Sequence, residues 1–539
     1  MRPVDTASIA WPLDDDAAEV YTGGEASGDS GELTGWCEQG QLEKQDGHRS
    51  TPCSAWAKII FVVGVTTVLG WRQGGSGFMY PPKRPEGVQL PPDQWYTQSL
   101  NHFNPSDTRT WQQRYFTNDS FYEPGGPVFL MIGGEGPADP VWMVEGSWVT
   151  YAQSLKAYML FLEHRYYGKS HPTEDVSVEN LAYLSTEQAL ADLAAFIVDM
   201  QESLGFEDNK WIVFGGSYSG SLAAWFRMKY PHLAHGAVAT SAPIVAQVNF
   251  KEYLEVVRDS LATVSEDCNT QIKEAHRELD MLLLHQIGWR TITTEFRLCT
   301  PLDARIADDV SNMFSLLAEN IEDVVQYNKD NRAFEGVKGT NITIDTICGI
   351  MMNEDEEPID RYADVNSMIL DVYGKPCLEH TYHAMIEELQ ATSWENNESV
   401  GGRAWMYQTC TEYGFYQSSD SENQPFGDKF PIEFFIKQCE DIYGPKFNLS
   451  LLEAGVKRTN TIFGGRDLKV TRVVFPNGSI DPWHALGITS DISNDATAIY
   501  INGTAHCANE YPDSPDDPSQ LTAAREEVYQ LITQWLNEE

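Results

Sequence analysis

The chain has 539 residues, with 79 Asp and Glu against 37 Lys and Arg, for a formal net charge of −42. Such a field repels phosphate backbones and anionic lipid surfaces, which sets nucleic acid aside as a partner. With 42% hydrophobic and 12% aromatic residues the composition is that of a folded globular protein, and its acidity suits work at low pH, where carboxylates are protonated and self-repulsion falls.

Residues 1–52 are rich in Asp, Glu, Gly and Ser and show no apolar period, so they read as a disordered acidic extension. Residues 53–75 contain the uncharged run Ile59 to Trp71 behind Lys58. That run is shorter than the roughly 20 residues a bilayer span needs and fits a signal peptide cleaved near Gly70, or a signal anchor if the extension is kept. A membrane is expected as a partner only if residues 59–71 remain as an anchor.

Residues 76–245 alternate strands and helices. Pro127 to Ile132 and Ala157 to Leu162 are continuous apolar runs that predict buried strands, the first ending in Gly133-Gly134-Glu135-Gly136. Ala189, Leu190, Leu193, Phe196, Ile197 and Met200 recur at three- and four-residue spacing, predicting a helix over 186–204 with one buried face. Trp211 to Phe214 is the next strand, and Ser217 to Tyr230 the next helix. This succession predicts an α/β fold with a doubly wound, mostly parallel sheet.

Residues 246–460 change texture to helical patterns and polar loops, and hold Cys268, Cys299, Cys348, Cys377, Cys410 and Cys439. They read as a helical insertion stapled by local disulfides. Residues 461–539 resume the alternation, with strands over 471–475 and 496–501 and a closing helix from about Ser519 to Leu536. The nine cysteines form no CxxC pair and no zinc-finger spacing, so neither a metal nor another cofactor is expected.

Three loops carry chemistry. Phe214-Gly-Gly-Ser217-Tyr-Ser-Gly220 joins a strand to a helix, the setting of a nucleophile elbow, whose residues two before and two after the serine must be small; here they are Gly215 and Ser219. Ser219 is a rival nucleophile, but it would lie inside the first helical turn. Asp481 follows one late strand, and His506, in Asn502-Gly-Thr-Ala-His-Cys507, follows another. The order Ser, Asp, His is that of α/β-hydrolases and not of the chymotrypsin or subtilisin folds. The expected catalytic residues are therefore Ser217, Asp481 and His506. The expected oxyanion donors are the N–H groups of Tyr218 and of Gly134, since the glycine loop lacks both the P-loop ending and the G-x-G-x-x-G spacing. An esterase or lipase would use the same triad, and an inactive hydrolase fold would serve as a binding module.

The motifs around Ser217, together with Glu163-His-Arg-Tyr-Tyr-Gly168, Asn477-Gly-Ser-Ile-Asp481-Pro-Trp483 and Gly503-Thr-Ala-His506-Cys507, resemble those of the lysosomal Pro-Xaa carboxypeptidase family, nearest its thymus-specific members. The likeness covers about residues 90–538. It implies a serine exopeptidase acting on short peptides at proline, in the secretory pathway, secreted or in a lysosome-like lumen, compatible with a homodimer. It further implies the pairs Cys268–Cys348, Cys299–Cys377 and Cys410–Cys439, with Cys507 free. Tyr218 and Trp483 become candidates for lining a proline slot. The sequons at Asn118, Asn341, Asn397 and Asn448 are expected to carry glycans, whereas Asn477 and Asn502, beside the proposed catalytic loops, are not.

Overall fold

The computed structural model describes residues 81–329, 342–395 and 397–538. The expected acidic extension, the apolar segment 59–71, Asn341 and the side chain of Asn397 lie outside this description. Among the described residues, no helix is long and apolar enough to cross a membrane.

The centre of the fold is an eight-stranded sheet of β1 (Gln94–Ser99), β2 (Thr110–Asn118), β3 (Val128–Ile132), β4 (Tyr158–Leu162), β5 (Trp211–Gly216), β6 (Gly236–Thr240), β9 (Val473–Gly478) and β10 (Ala496–Ile501). Its order is β1-β2-β4-β3-β5-β6-β9-β10. From β4 to β10 every pairing is parallel, and β1 and β2 add an antiparallel edge. The uninterrupted apolar runs of β3 and β5 follow from that position, because a central parallel strand is covered by helices on both faces. β1, at the edge, alternates between exposed and covered positions instead.

The helix Thr186–Leu204 starts at Ser185, whose hydroxyl accepts the N–H of Gln188, and stops at Gly205 in the left-handed conformation. Its apolar face joins a core that includes Val128, Leu130 and Val213. The same core continues into the insertion through Leu279, Met313 and Tyr362, so sheet and insertion bury apolar surface against each other.

Most of the region after β6 is helical, as its pattern suggests. It also contains a two-stranded parallel ribbon of β7 (Gln247–Asn249) and β8 (Gly414–Tyr416), elements too short for periodicity to show. Disulfides join Cys268 to Cys348, Cys299 to Cys377 and Cys410 to Cys439. Cys507 is free and buried, and burial pushes its thiol well above the ordinary range.

Candidate active site

The proposed site residues converge at the carboxyl ends of β5, β9 and β10, where open α/β sheets place their ligands. Ser217 stands between β5 and the helix Tyr218–Lys229, with φ 58° and ψ −130°. A side chain in that region is strained, which lifts the serine out of the turn. The turn is tied down on both sides. The Ser217 N–H donates to the Thr240 carbonyl at 2.9 Å, and the Ser219 hydroxyl donates to the Gly216 carbonyl at 2.8 Å while accepting the Gly216 N–H at 3.1 Å. A Cβ on Gly215 would fall 2.2 Å from the Ser219 carbonyl oxygen, so only glycine permits this approach. Ser219, the rival nucleophile, lies within the helix with its hydroxyl spent on the turn.

Asp481 and His506 come from the loops after β9 and β10, and both are fully buried. The Asp481 Oδ1 lies 2.9 Å from His506 Nδ1 and accepts the Trp483 N–H at 3.0 Å. The Ile480 N–H donates to Thr504 and the Gly503 N–H to the Ser479 hydroxyl, so the two loops are laced together. A proton on Nδ1, donated to Asp481, leaves the Nε2 lone pair free to act as a base. Nε2 is buried and has no hydrogen-bond partner among the described residues, so Ser217 and His506 are not yet bonded. Catalytic hydrogen bonds commonly tighten only when substrate is bound.

Tyr218 and Gly134 flank the elbow. The Tyr218 N–H opens a helix and has no intrahelical acceptor. A Cβ on Gly134 would lie 3.6 Å from that of Ser219, which brings the glycine loop against the elbow helix. That loop is braced by Glu163, which pairs with Arg114 and accepts the Ala138 N–H at 3.0 Å. Gly133, Gly134, Glu135, Trp142, Gly216 and Ser219 help to line a small cavity of about 50 Å³.

The Tyr218 phenol does not border an open slot. It is buried, donates to His164 Nε2 at 3.1 Å, and accepts from Gln408 at 2.9 Å and Tyr413 at 3.3 Å, tying the elbow to the insertion. Trp483 is buried among Phe250, Tyr253 and Phe415, with ring centroids 5.4 to 5.8 Å away. The Asn118 amide donates to the Met143 carbonyl, Asn448 caps the helix Leu449–Phe463, Asn477 is buried, and Asn502 is exposed.

Sequence reasoning missed several residues here. Ser241, with φ 47°, accepts the Cys507 N–H and anchors the histidine loop to the end of β6. Glu135 and Glu510 are buried, and burial pushes both carboxyls up to about 8. Gln326, from the insertion, meets both the histidine and tryptophan loops. None of these pairings is local, so spacing could not reveal them; only the position of Glu135 inside the glycine loop was a signal.

A mostly parallel sheet with this elbow and these late loops defines an α/β-hydrolase. Residues 98–528 match the family model for serine carboxypeptidase S28, and the chain belongs to that family and is a serine peptidase. It is 39% identical over 453 residues to the Caenorhabditis elegans protein K12H4.7, covering 82% of this chain and 88% of that one. It is 32% identical over 464 residues to the human thymus-specific serine protease, covering 84% and 88%, and 28% identical over 456 residues to the cattle lysosomal Pro-X carboxypeptidase, covering 82% and 87%. Among solved structures it matches the proline iminopeptidase of Mycobacterium smegmatis at 13% identity and a TM-score of 0.35, covering 82% of this chain and 99% of that one.

Proposed function

We propose that this serine peptidase is a proline-directed exopeptidase acting on short peptides through the triad Ser217, Asp481 and His506. The observation that carries the reading is the strained Ser217 at the strand–helix turn, in the same fold as the buried Asp481–His506 pair on the adjoining late loops. His506 Nε2 takes the Ser217 proton as the oxygen attacks the scissile carbonyl, and returns it to the leaving amine. Asp481 holds the imidazole tautomer and stabilises its cation. The Tyr218 and Gly134 N–H groups receive the oxyanion, each worth about 3–4 kcal/mol. Water then enters and the same base activates it to cleave the acyl-enzyme.

The proline preference is supported by the similarity to a protein named for Pro-X cleavage, and Trp483, whose ring centroid stands 6.4 Å from that of His506, is the aromatic side chain proposed to wall the slot. The acidic surface favours capture of an ammonium terminus, so release of N-terminal X-Pro dipeptides is the preferred direction over Pro-Xaa carboxypeptidase action. Work in a lumen of the secretory pathway fits three disulfides, which persist in oxidising compartments. Glycans are proposed at Asn118, Asn341, Asn397 and Asn448.

The test is a panel at acidic pH: Xaa-Pro arylamides, peptides ending in Pro-Xaa, and simple esters. Cleavage of the arylamides, lost in Ser217→Ala by about 10⁴-fold or more, is expected. Hydrolysis of esters alone would replace this reading with that of an esterase, and cleavage of the Pro-Xaa peptides alone would reverse the direction.

A further inference from the structure

The helix Ala307–Gln326 belongs to the insertion, yet its last residue touches both late loops of the sheet. The Gln326 carbonyl, among those a helix end leaves without an intrahelical donor, accepts the His506 N–H at 2.9 Å. Its side-chain oxygen accepts the Trp483 indole N–H at 3.0 Å and the Tyr253 hydroxyl at 2.7 Å. All four residues are buried. The Trp483 and His506 ring centroids stand 6.4 Å apart, so the indole neighbours the imidazole proposed as the base.

We propose that Gln326 is a positioning residue that sets selectivity: its backbone supports the His506 loop, and its side chain locks Trp483 as the wall of the acyl pocket. The inference rests on the triad and proline slot argued above. Aromatic contacts with Phe250, Tyr253 and Phe415 pack the indole but do not choose between the two ways it can be turned about its Cβ–Cγ bond. A hydrogen bond at the indole edge removes that freedom. One carbonyl oxygen has two lone pairs, and two buried donors converge on it. A side chain of similar length without that oxygen strands both donors, and a buried unpaired donor is costly enough to drive Trp483 and Tyr253 to other orientations. The carbonyl that supports His506 belongs to the backbone and survives any substitution. Loss of the side chain therefore weakens proline recognition more than it weakens the nucleophile.

The experiment compares the full chain with Gln326→Met and Gln326→Glu. It reads kcat/KM on Ala-Pro- and Ala-Ala-arylamides, and the labelling rate with diisopropyl fluorophosphate, which does not require the slot. Gln326→Met is expected to lower the Pro-over-Ala preference about tenfold or more, which is about 1.4 kcal/mol, and to slow labelling by far less. Gln326→Glu, which keeps an acceptor oxygen, is expected to recover most of the preference. Because Trp483→Phe removes the indole donor, Gln326→Met should cost less on that background than on the unsubstituted chain.

A Pro-over-Ala ratio unaltered in Gln326→Met would overturn the proposal, whatever the change in melting temperature. So would equal loss of the ratio in the Met and Glu variants, or additive effects with Trp483→Phe. Failure of the unsubstituted chain to label would instead remove the triad reading, and the inference with it. Labelling without any proline preference would remove the slot and overturn the inference while sparing the triad.

Discussion

Ser217 should cost the fold stability, and the cost can be isolated. At φ 58° and ψ −130° a residue with a Cβ sits in a sparsely populated region, at about 1–3 kcal/mol. Ser217→Ala keeps the Cβ and the strain; Ser217→Gly removes both. Glycine also loses about 0.5–1 kcal/mol relative to alanine through backbone entropy, and forfeits the burial of a methyl at about 0.8 kcal/mol. Ser219, two residues on and inside the helix, supplies the control, because there glycine suffers the same losses with no strain to relieve. The stability difference between the Gly and Ala variants should therefore be more favourable at position 217 than at 219 by about 1–3 kcal/mol. Thermal melts of the four variants at one scan rate, with denaturant titration where unfolding is reversible, read this difference. Equal differences at the two positions would refute the claim that the elbow stores strain.

Three further outcomes are expected. Glu135 and Glu510 hold their protons up to about 8 when folded against an ordinary 4.5, so the native state binds more protons between those values. The contribution of these two groups to stability should be level below about pH 4.5 and fall as pH rises towards 8, by about 1.4 kcal/mol per pH unit for each; Glu135→Gln and Glu510→Gln should each flatten the fall between those values in melts across pH, and an unchanged slope in both would count against it. The Cys507 thiol, buried and poorly ionised, should resist iodoacetamide in the folded chain and react on unfolding, which intact-mass measurement follows. Ser219→Ala should retain most activity, since its hydroxyl only ties the turn, whereas Gly215→Ala should lose activity and destabilise the fold, by about 1–3 kcal/mol or more, through the clash with the Ser219 carbonyl; arylamide hydrolysis and melts of the two variants check this, and the reverse order of damage would contradict the elbow geometry.

The strands easiest to see in the sequence were those whose burial forbids polar residues. Val128 to Ile132 and Tyr158 to Leu162 are covered on both faces, so their runs are apolar without interruption. β1 and β2 escaped notice because an antiparallel edge tolerates Gln94-Trp-Tyr-Thr-Gln-Ser99 and the Gln-Gln-Arg stretch of the next strand. β6 is built of Gly, Ala, Val and Thr, small residues that announce no periodicity. The proposed triad could be read because each member follows a strand in a loop of small residues. Tyr218 was read less well: its phenol is tethered to Gln408 and Tyr413, which lie about 190 residues away in sequence. Gln326 and Ser241 act through contacts of the same long range, and no local pattern marks them.

If Ser217 attacks with His506 as its base, an organophosphate should mark that serine and depend on that histidine. Incubating the full chain with diisopropyl fluorophosphate at mildly acidic pH, digesting it and mapping the adduct by mass tests this most directly. One adduct is expected, on the peptide carrying Ser217, absent from Ser217→Ala and at least about 10³-fold slower in His506→Ala. An adduct on Ser219, or labelling undiminished in His506→Ala, would contradict it.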